Sequence, residues 1–246
     1  MGASFAWGAL GGSSLVIGSV VALLFRIPLR MIGLIMAFGA GVLISAVAFD
    51  LVDEAAEKTI GQGWTVGGLF AGCLVFFIGD GLIERLGGGD RKDATGVGDE
   101  GGGGNPLSIV LGTVLDGIPE SMVIGLAIYE GGAVGAAYLA AVFISNLPES
   151  ISSTSGLVSS GWKTSRILWM WIAIALISGL ASLAGYGLFQ NSSPDTVAFV
   201  LAFAAGAILT MLADTMMPEA FEHGGKLVGI MVTLGFAVAF TIHVLD

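Results

Sequence analysis

Ile118-Pro119-Glu120-Ser121 stands in the middle of a long apolar run, residues 107–128, and Leu147-Pro148-Glu149-Ser150 repeats it in the middle of the next, residues 133–158. An ionised carboxylate at the centre of a bilayer costs about 2.5 kcal/mol or more, so a glutamate repeated at that depth needs a partner. Asp116 and Glu120 are spaced i, i+4, and Asn146 and Glu149 i, i+3, which puts each pair on one helix face. Pro119 and Pro148 have no backbone N–H, so the carbonyls of Leu115 and Ile144 lose their helical donors beside the acids. No Lys or Arg lies in either run. A cation, or protons that a cation displaces, is the simplest remaining partner; the plainer alternative is a kink with a protonated glutamate bonded across helices.

Working outward, the same chemistry recurs along the chain. Of 246 residues, 55% are hydrophobic and 11% charged, and mean hydropathy is +0.92, whereas soluble domains carry about 25% charged residues. Eight runs approach the ~20 residues that a crossing helix needs: 5–25, 31–49, 64–83, 107–128, 133–158, 167–189, 196–213 and 227–242. The fold class expected is all-α integral membrane, because an open chain in lipid satisfies its backbone only as helix and no alternating barrel pattern exists. The first run lacks the basic start and small-residue cleavage site of a secretory signal and reads as a retained span. The one cysteine, Cys73, excludes a disulfide framework or a cysteine zinc site within the chain. A net charge of −10 argues against nucleic-acid and anionic-lipid partners and fits a protein that handles cations.

Eight of the nine basic residues, Arg26, Arg30, Arg85, Arg91, Lys92, Lys163, Arg166 and Lys226, fall in alternate loops, and Lys58 alone in the others. By the positive-inside rule both termini lie outside the cytoplasm, in a plasma or inner membrane. Residues 84–106, with Gly87 to Gly89 and Gly101 to Gly104, read as a flexible cytoplasmic linker. A constant offset relates Ala37-Phe38-Gly39-Ala40-Gly41 to Ala202-Phe203-Ala204-Ala205-Gly206 and Glu54-Ala55 to Glu219-Ala220. It makes 5–83 and 167–245 the halves of an inverted repeat around central spans 107–158, within a single membrane domain, 1–246.

Asp116-Gly117-Ile118-Pro119-Glu120-Ser121 and Ser145-Asn146-Leu147-Pro148-Glu149-Ser150 resemble the paired His-Asn-x-Pro-Glu-Gly motifs of the ZIP family (Zrt/Irt-like divalent metal-ion transporters), and Met216-Met217-Pro218-Glu219-Ala220 resembles that family's seventh-span ending. The resemblance covers nearly the whole chain. It implies eight helices in a 3+2+3 arrangement and a metal held between spans four and five, moved inward. Both motif histidines are replaced, by Asp116 and Ser145, and both motif glycines by Ser121 and Ser150, as in a divergent member of bacterial or archaeal type. The ligand set Asp116, Glu120, Asn146, Glu149 and Ser145 is then all oxygen, which suits manganese, magnesium, calcium or iron better than an imidazole-containing site would, and zinc also accepts carboxylates.

Around that set, Asp50, Asp53, Glu54 and Glu57 could concentrate cations at an entrance or form a solvated, helix-capping loop. Asp214, Glu219, Glu222 and His223 are candidates for an exit, while Asp80 and Glu84 read as a solvated helix end and His243 as interfacial. Met211, Met216 and Met217 read as packing. The function expected is a divalent metal-ion transporter for zinc, manganese or iron as substrate, with no organic cofactor, working by rocking of the two triplets of spans. No enzyme is expected: His-Glu-x-x-His is absent, and no histidine lies at membrane depth. The alternative is a degenerate ZIP-like sensor or scaffold without metal transport. The lipid bilayer and the metal are the partners, and a homodimer is left open by the small-residue content.

Overall fold

The computed structural model describes residues 2–59, 63–83, 85, 106–129 and 136–245, and every regular element among them is helical. In chain order these are α1 (Gly2–Leu24), α2 (Leu29–Ala46), a π-helical stretch (Val47–Asp53), α3 (Glu54–Lys58), α4 (Gly63–Ile83), α5 (Pro106–Tyr129), α6 (Ala136–Ser159), α7 (Thr164–Leu188) and α8 (Pro194–Met211). A second π-helical stretch (Leu212–Met216), α9 (Met217–Gly224), one 3₁₀ turn (Gly225–Leu227) and α10 (Val228–Leu245) complete it. Most of the linker expected at 84–106 lies outside the described residues. Local chemistry sets the breaks. Ser193 accepts from Thr196 N at 3.3 Å and Pro194 opens α8, a favoured helix start. Gly161 (φ 79°) and Gly225 (φ 64°) sit where the chain reverses into α7 and α10, a backbone region that glycine enters without strain.

Among the described residues six stretches are long and apolar enough to cross a bilayer, against eight expected. Two physical reasons account for the difference. The last stretch, Pro194–Leu245, has 52 residues; at 1.5 Å per residue it would run about 78 Å if straight, far beyond a ~30 Å hydrocarbon core. It turns back at Gly225. The other reason is α6, which has 24 residues but carries Ser145, Asn146, Glu149, Ser150, Ser152, Ser153 and Thr154, all buried.

The helices pack as two interlocked sets. α1 lies on α7 and α6, and α5 on α7; α4 lies on α8, and α2 on α10 and α9. The sets meet chiefly where α6 crosses α2 and α5 meets α8. Each triplet that the repeat defines is therefore divided between the sets, and the expectation that the triplets move as separate bodies does not match the packing.

Within the second set the contacts are duplicated. A Cβ on Gly41 would collide with the Val232 carbonyl of α10, and one on Gly235 with the Phe38 carbonyl. Gly206 stands in the same way against Leu69 of α4, and Gly72 against Phe203. Phe38 and Phe203, and Gly41 and Gly206, are the residues that the internal repeat pairs. The π-helical stretches begin at Val47 and Leu212, the same distance apart along the chain.

Neighbouring contacts also give direction. Ser4 bonds Ser182 while Gly12 meets Ala175, so α1 and α7 are antiparallel. Gly11 meets Leu139 and Gly18 meets Ser150, so α1 and α6 are parallel. Gly117 meets Ser178 and Tyr129 bonds the Gln190 carbonyl, so α5 and α7 are parallel. The result gathers Arg26, Arg30, Arg85, Lys163, Arg166 and Lys226 at one end, here the basic end, with Lys58 at the other.

Candidate cation site

α5 and α6 carry their polar side chains in the interior. Asp116, Glu120, Ser145, Asn146 and Glu149 are each at most 7% exposed. The helices stay continuous through Pro119 and Pro148. Gly39 lets α2 approach α6 closely at Pro148, because a Cβ there would press on Pro148 Cγ and Ser145 Cα at 3.3 Å and on Met216 at 3.0 Å. Ser145 and Ser150 each donate to a carbonyl of their own helix, those of Val142 and Leu147, at 3.0 Å, a common resting state for buried helical serines. With its proton so used, the Ser145 oxygen keeps its lone pairs as neutral donors to a cation.

Among the described residues no three His, Cys, Asp or Glu side chains stand close enough to hold a metal ion by themselves. A cation at this level would take part of its shell from Asn146, hydroxyls, backbone carbonyls or water, as hard divalent ions commonly do. The chemistry on offer is oxygen coordination in a site of low dielectric.

A cavity of about 360 Å³ leads toward this layer from the end opposite the basic one. Its wall contains all four residues expected at an entrance, Asp50, Asp53, Glu54 and Glu57, together with Phe49, Val123, Ala127, Tyr138, Leu201 and His243. Val123 is three residues, about one helical turn, from Glu120. Tyr138, buried, donates to the Glu120 carbonyl oxygen at 3.4 Å, tying α6 to α5 between cavity and carboxylates. The four acids are helical, on the π-helical stretch and α3, and not the loop that was the alternative reading. Glu54 pairs with Lys58 at 3.3 Å, an i, i+4 contact worth a few tenths of a kcal/mol, ~0.3–0.5. Asp50 Oδ1 lies 2.6 Å from His243 Nδ1, and the His243 ring packs on Phe49 at 5.5 Å.

The four exit candidates do not gather. Asp214 is exposed and lines a cavity of about 610 Å³ with Asp80 and Arg85 at the basic end. Glu219 is buried and accepts from Ser152 Oγ at 2.6 Å. Glu222 is exposed, and His223 is half-buried against Gly33. Asp80, expected as a solvated helix end, is 7% exposed. Met211 and Met216 are core residues, as expected.

Tyr138, Ser152 and His243 are the side chains that sequence reasoning left without a role. A tyrosine at a helix start and a histidine at a helix end both look interfacial. For Ser152 the only signal was that α6 has too many hydroxyls for a lipid-facing helix.

Two relatives bear on what such an interior serves. A protein of Arabidopsis thaliana whose name gives it as a candidate zinc transporter is 24% identical over 210 residues, 84% of this chain and 33% of that protein. The chain thus spans about a third of its length. The zinc transporter ZTP29 of the same plant is 26% identical over 239 residues, 88% of this chain and 84% of that protein. No family model matches the chain. The likeness is to proteins named as zinc transporters, and the apolar helical stretches among the described residues fit a multi-pass membrane protein.

Proposed function

We propose that this chain carries a divalent cation across a membrane, into the cytoplasm, through a site formed by Asp116, Glu120, Ser145, Asn146 and Glu149. The observation that carries the reading is the acidic Asp50 cavity ending one turn from Glu120, with carboxylates buried on α5 and α6 beyond it. Carboxylates in low dielectric are stable only when neutralised, and a cation arriving through an acidic funnel does that. Eight crossings are part of the reading: the 52-residue stretch counts as two, and α6 crosses inside a sheath of α1 and α2. The parallel and antiparallel pairs are those that eight alternating crossings require. The duplicated glycine contacts and π-helical stretches support an inverted repeat and, with the paired Pro-Glu-Ser elements, the ZIP resemblance. The basic end is cytoplasmic, with both termini outside, by the positive-inside rule.

An all-oxygen site accepts zinc, manganese or iron. The test is uptake into liposomes from a panel of Zn²⁺, Mn²⁺ and Fe²⁺, with thermal melts of the purified protein in each. Uptake together with stabilisation by the transported ion supports a carrier; stabilisation without uptake supports a sensor, and neither supports a scaffold. Topology is tested by single cysteines at Asp195 and Lys163, which lie near opposite ends and are exposed. If an impermeant reagent on intact cells labels Lys163→Cys and spares Asp195→Cys, the orientation is reversed.

A further inference from the structure

On the side of the site that faces the basic end, a buried hydrogen bond crosses between the two helix sets. Ser152 follows Glu149 by three residues on α6, about 4.5 Å further toward the basic end, and is fully buried. Its hydroxyl donates to Glu219 Oε1 at 2.6 Å, a short bond. Glu219 belongs to α9, which packs on α2. The bond therefore joins the two sets of helices that otherwise meet along α6 and α2. On the other side of the carboxylate layer the Asp50 cavity is open. The cavity of about 610 Å³ at the basic end is lined by α4, Arg85 and Asp214 and by none of the proposed ligands, whereas the Asp50 cavity reaches Val123, one turn from Glu120.

A helix-dipole role is not open to Glu219, because α8 runs through the π-helical stretch into α9 without a break and α9 has no free N-terminus. Glu219 is instead turned inward, onto Ser152 of α6.

Resting on the carrier reading, we propose that Ser152 and Glu219 form the closure of the cation path on the basic side, with Ser152 a positioning residue that presents Glu219 as the next carboxylate after Glu149. In the closed state the hydroxyl holds Oε1. When the helix sets shift, the bond opens, and both Glu219 and the Ser152 oxygen lone pairs face the departing cation. No covalent step is involved.

The test uses full-length protein in liposomes, in a Cys73→Ser background, with Ser145→Cys as a reporter in the carboxylate layer and an impermeant thiol reagent on the basic-end side. The parent labels slowly. Ser152→Ala labels at least several-fold faster, Ser152→Thr, which keeps the hydroxyl, stays slow, and Glu219→Ala, breaking the bond from the other partner, is fast. Glu219→Gln keeps an acceptor for Ser152 and stays slow. In the protein without the reporter, Glu219→Gln loses at least tenfold in maximal uptake of Mn²⁺ or Zn²⁺ with half-saturation changed less than twofold. A structural role alone would lower the melting temperature of Ser152→Ala and leave labelling of the folded fraction unchanged. Parent-like labelling in both Ser152→Ala and Glu219→Ala overturns the closure, and parent-like uptake in Glu219→Gln overturns the handover. A parent that takes up no divalent ion defeats the carrier reading instead, and the labelling still decides the closure.

Discussion

α6 and α10 are both long enough to cross a bilayer, yet they obey opposite rules. α10 is apolar almost throughout and buries only Val228, Gly235 and Ala239, so most of its surface faces outward. α6 is rich in serine, with Asn146 and Glu149, and from Tyr138 to Leu157 most of its side chains are buried or half-buried against α1 and α2. What demands apolar side chains is contact with lipid, not depth in the membrane. A helix sheathed by others can spend its interior on polar chemistry, provided the groups are satisfied.

The largest expected effect breaks the α6 side of that comparison. Glu120→Gln and Glu149→Gln each remove a charged oxygen from the proposed shell while keeping size and a neutral acceptor. Each should lower cation uptake by more than the roughly 10–100-fold that loss of an outer-shell partner costs, and should erase metal-dependent thermal stabilisation, with the folded protein retained. Stability without metal should hold or rise, since fewer acids then share a low-dielectric layer. An unchanged metal response in both variants would remove these residues from the site.

The next effect breaks the α10 side. Leu234, 49% exposed, lies mid-helix on the outward face. Leu234→Asp should cost about 2.5–3.5 kcal/mol of insertion, the translocon-scale value for a central aspartate. Asn146→Asp, the same charge added inside α6, should leave membrane insertion intact and alter metal response instead. Quantifying inserted protein for both variants tests the contrast; equal losses would show that depth, and not lipid contact, sets the rule.

Much of this was legible in the sequence. The eight runs fall on helices with ends displaced by only a few residues, because uncharged runs and the charges between them mark where water begins. Glu120 and Glu149 stood out because a repeated acid at mid-run has no cheap explanation, and both are buried. What stayed hidden depends on which faces meet. Asp80 looked solvated because it stands near a helix end, and its burial depends on where α4 ends against its neighbours. Ser152 and Glu219 lie far apart in the chain, and a serine on a serine-rich helix carries no pairing signal. The four acids that line the Asp50 cavity could be listed in advance, but not that Tyr138 stands between them and the carboxylates or that His243 reaches Asp50.

A smaller effect tests the duplication in the second helix set. Gly41→Ala and Gly206→Ala each push a methyl against a carbonyl of the facing helix, Val232 on α10 in one case and Leu69 on α4 in the other. Overpacking of this size costs about 1–3 kcal/mol. If the two crossings are equivalent, the variants should lose similar melting temperature, and the double variant should lose about the sum, since the sites share no partner. A large loss at Gly41 with none at Gly206 would end the equivalence.

The smallest effect concerns which ion the α5–α6 layer prefers. Asp116 and Ser145 occupy the positions where the resembling motifs carry histidine, and both are buried in the layer. With carboxylate, amide and hydroxyl donors the site is hard, and hard sites discriminate weakly against Mn²⁺ relative to Zn²⁺. Imidazole favours zinc, whose tetrahedral N and O shell it completes at short range. Asp116→His with Ser145→His therefore exchanges one charged and one neutral oxygen for two nitrogens, lowering the site's negative charge while raising its zinc preference. The two consequences separate in a competition assay. Absolute uptake should fall for every ion, because a charge is lost, while the Zn²⁺ to Mn²⁺ ratio should rise about tenfold, equivalent to about 1.4 kcal/mol of differential affinity. A fall in uptake with an unchanged ratio would mean that these positions shape the layer's field without touching the ion, and the ligands would then have to be sought among Glu120, Asn146 and Glu149 alone.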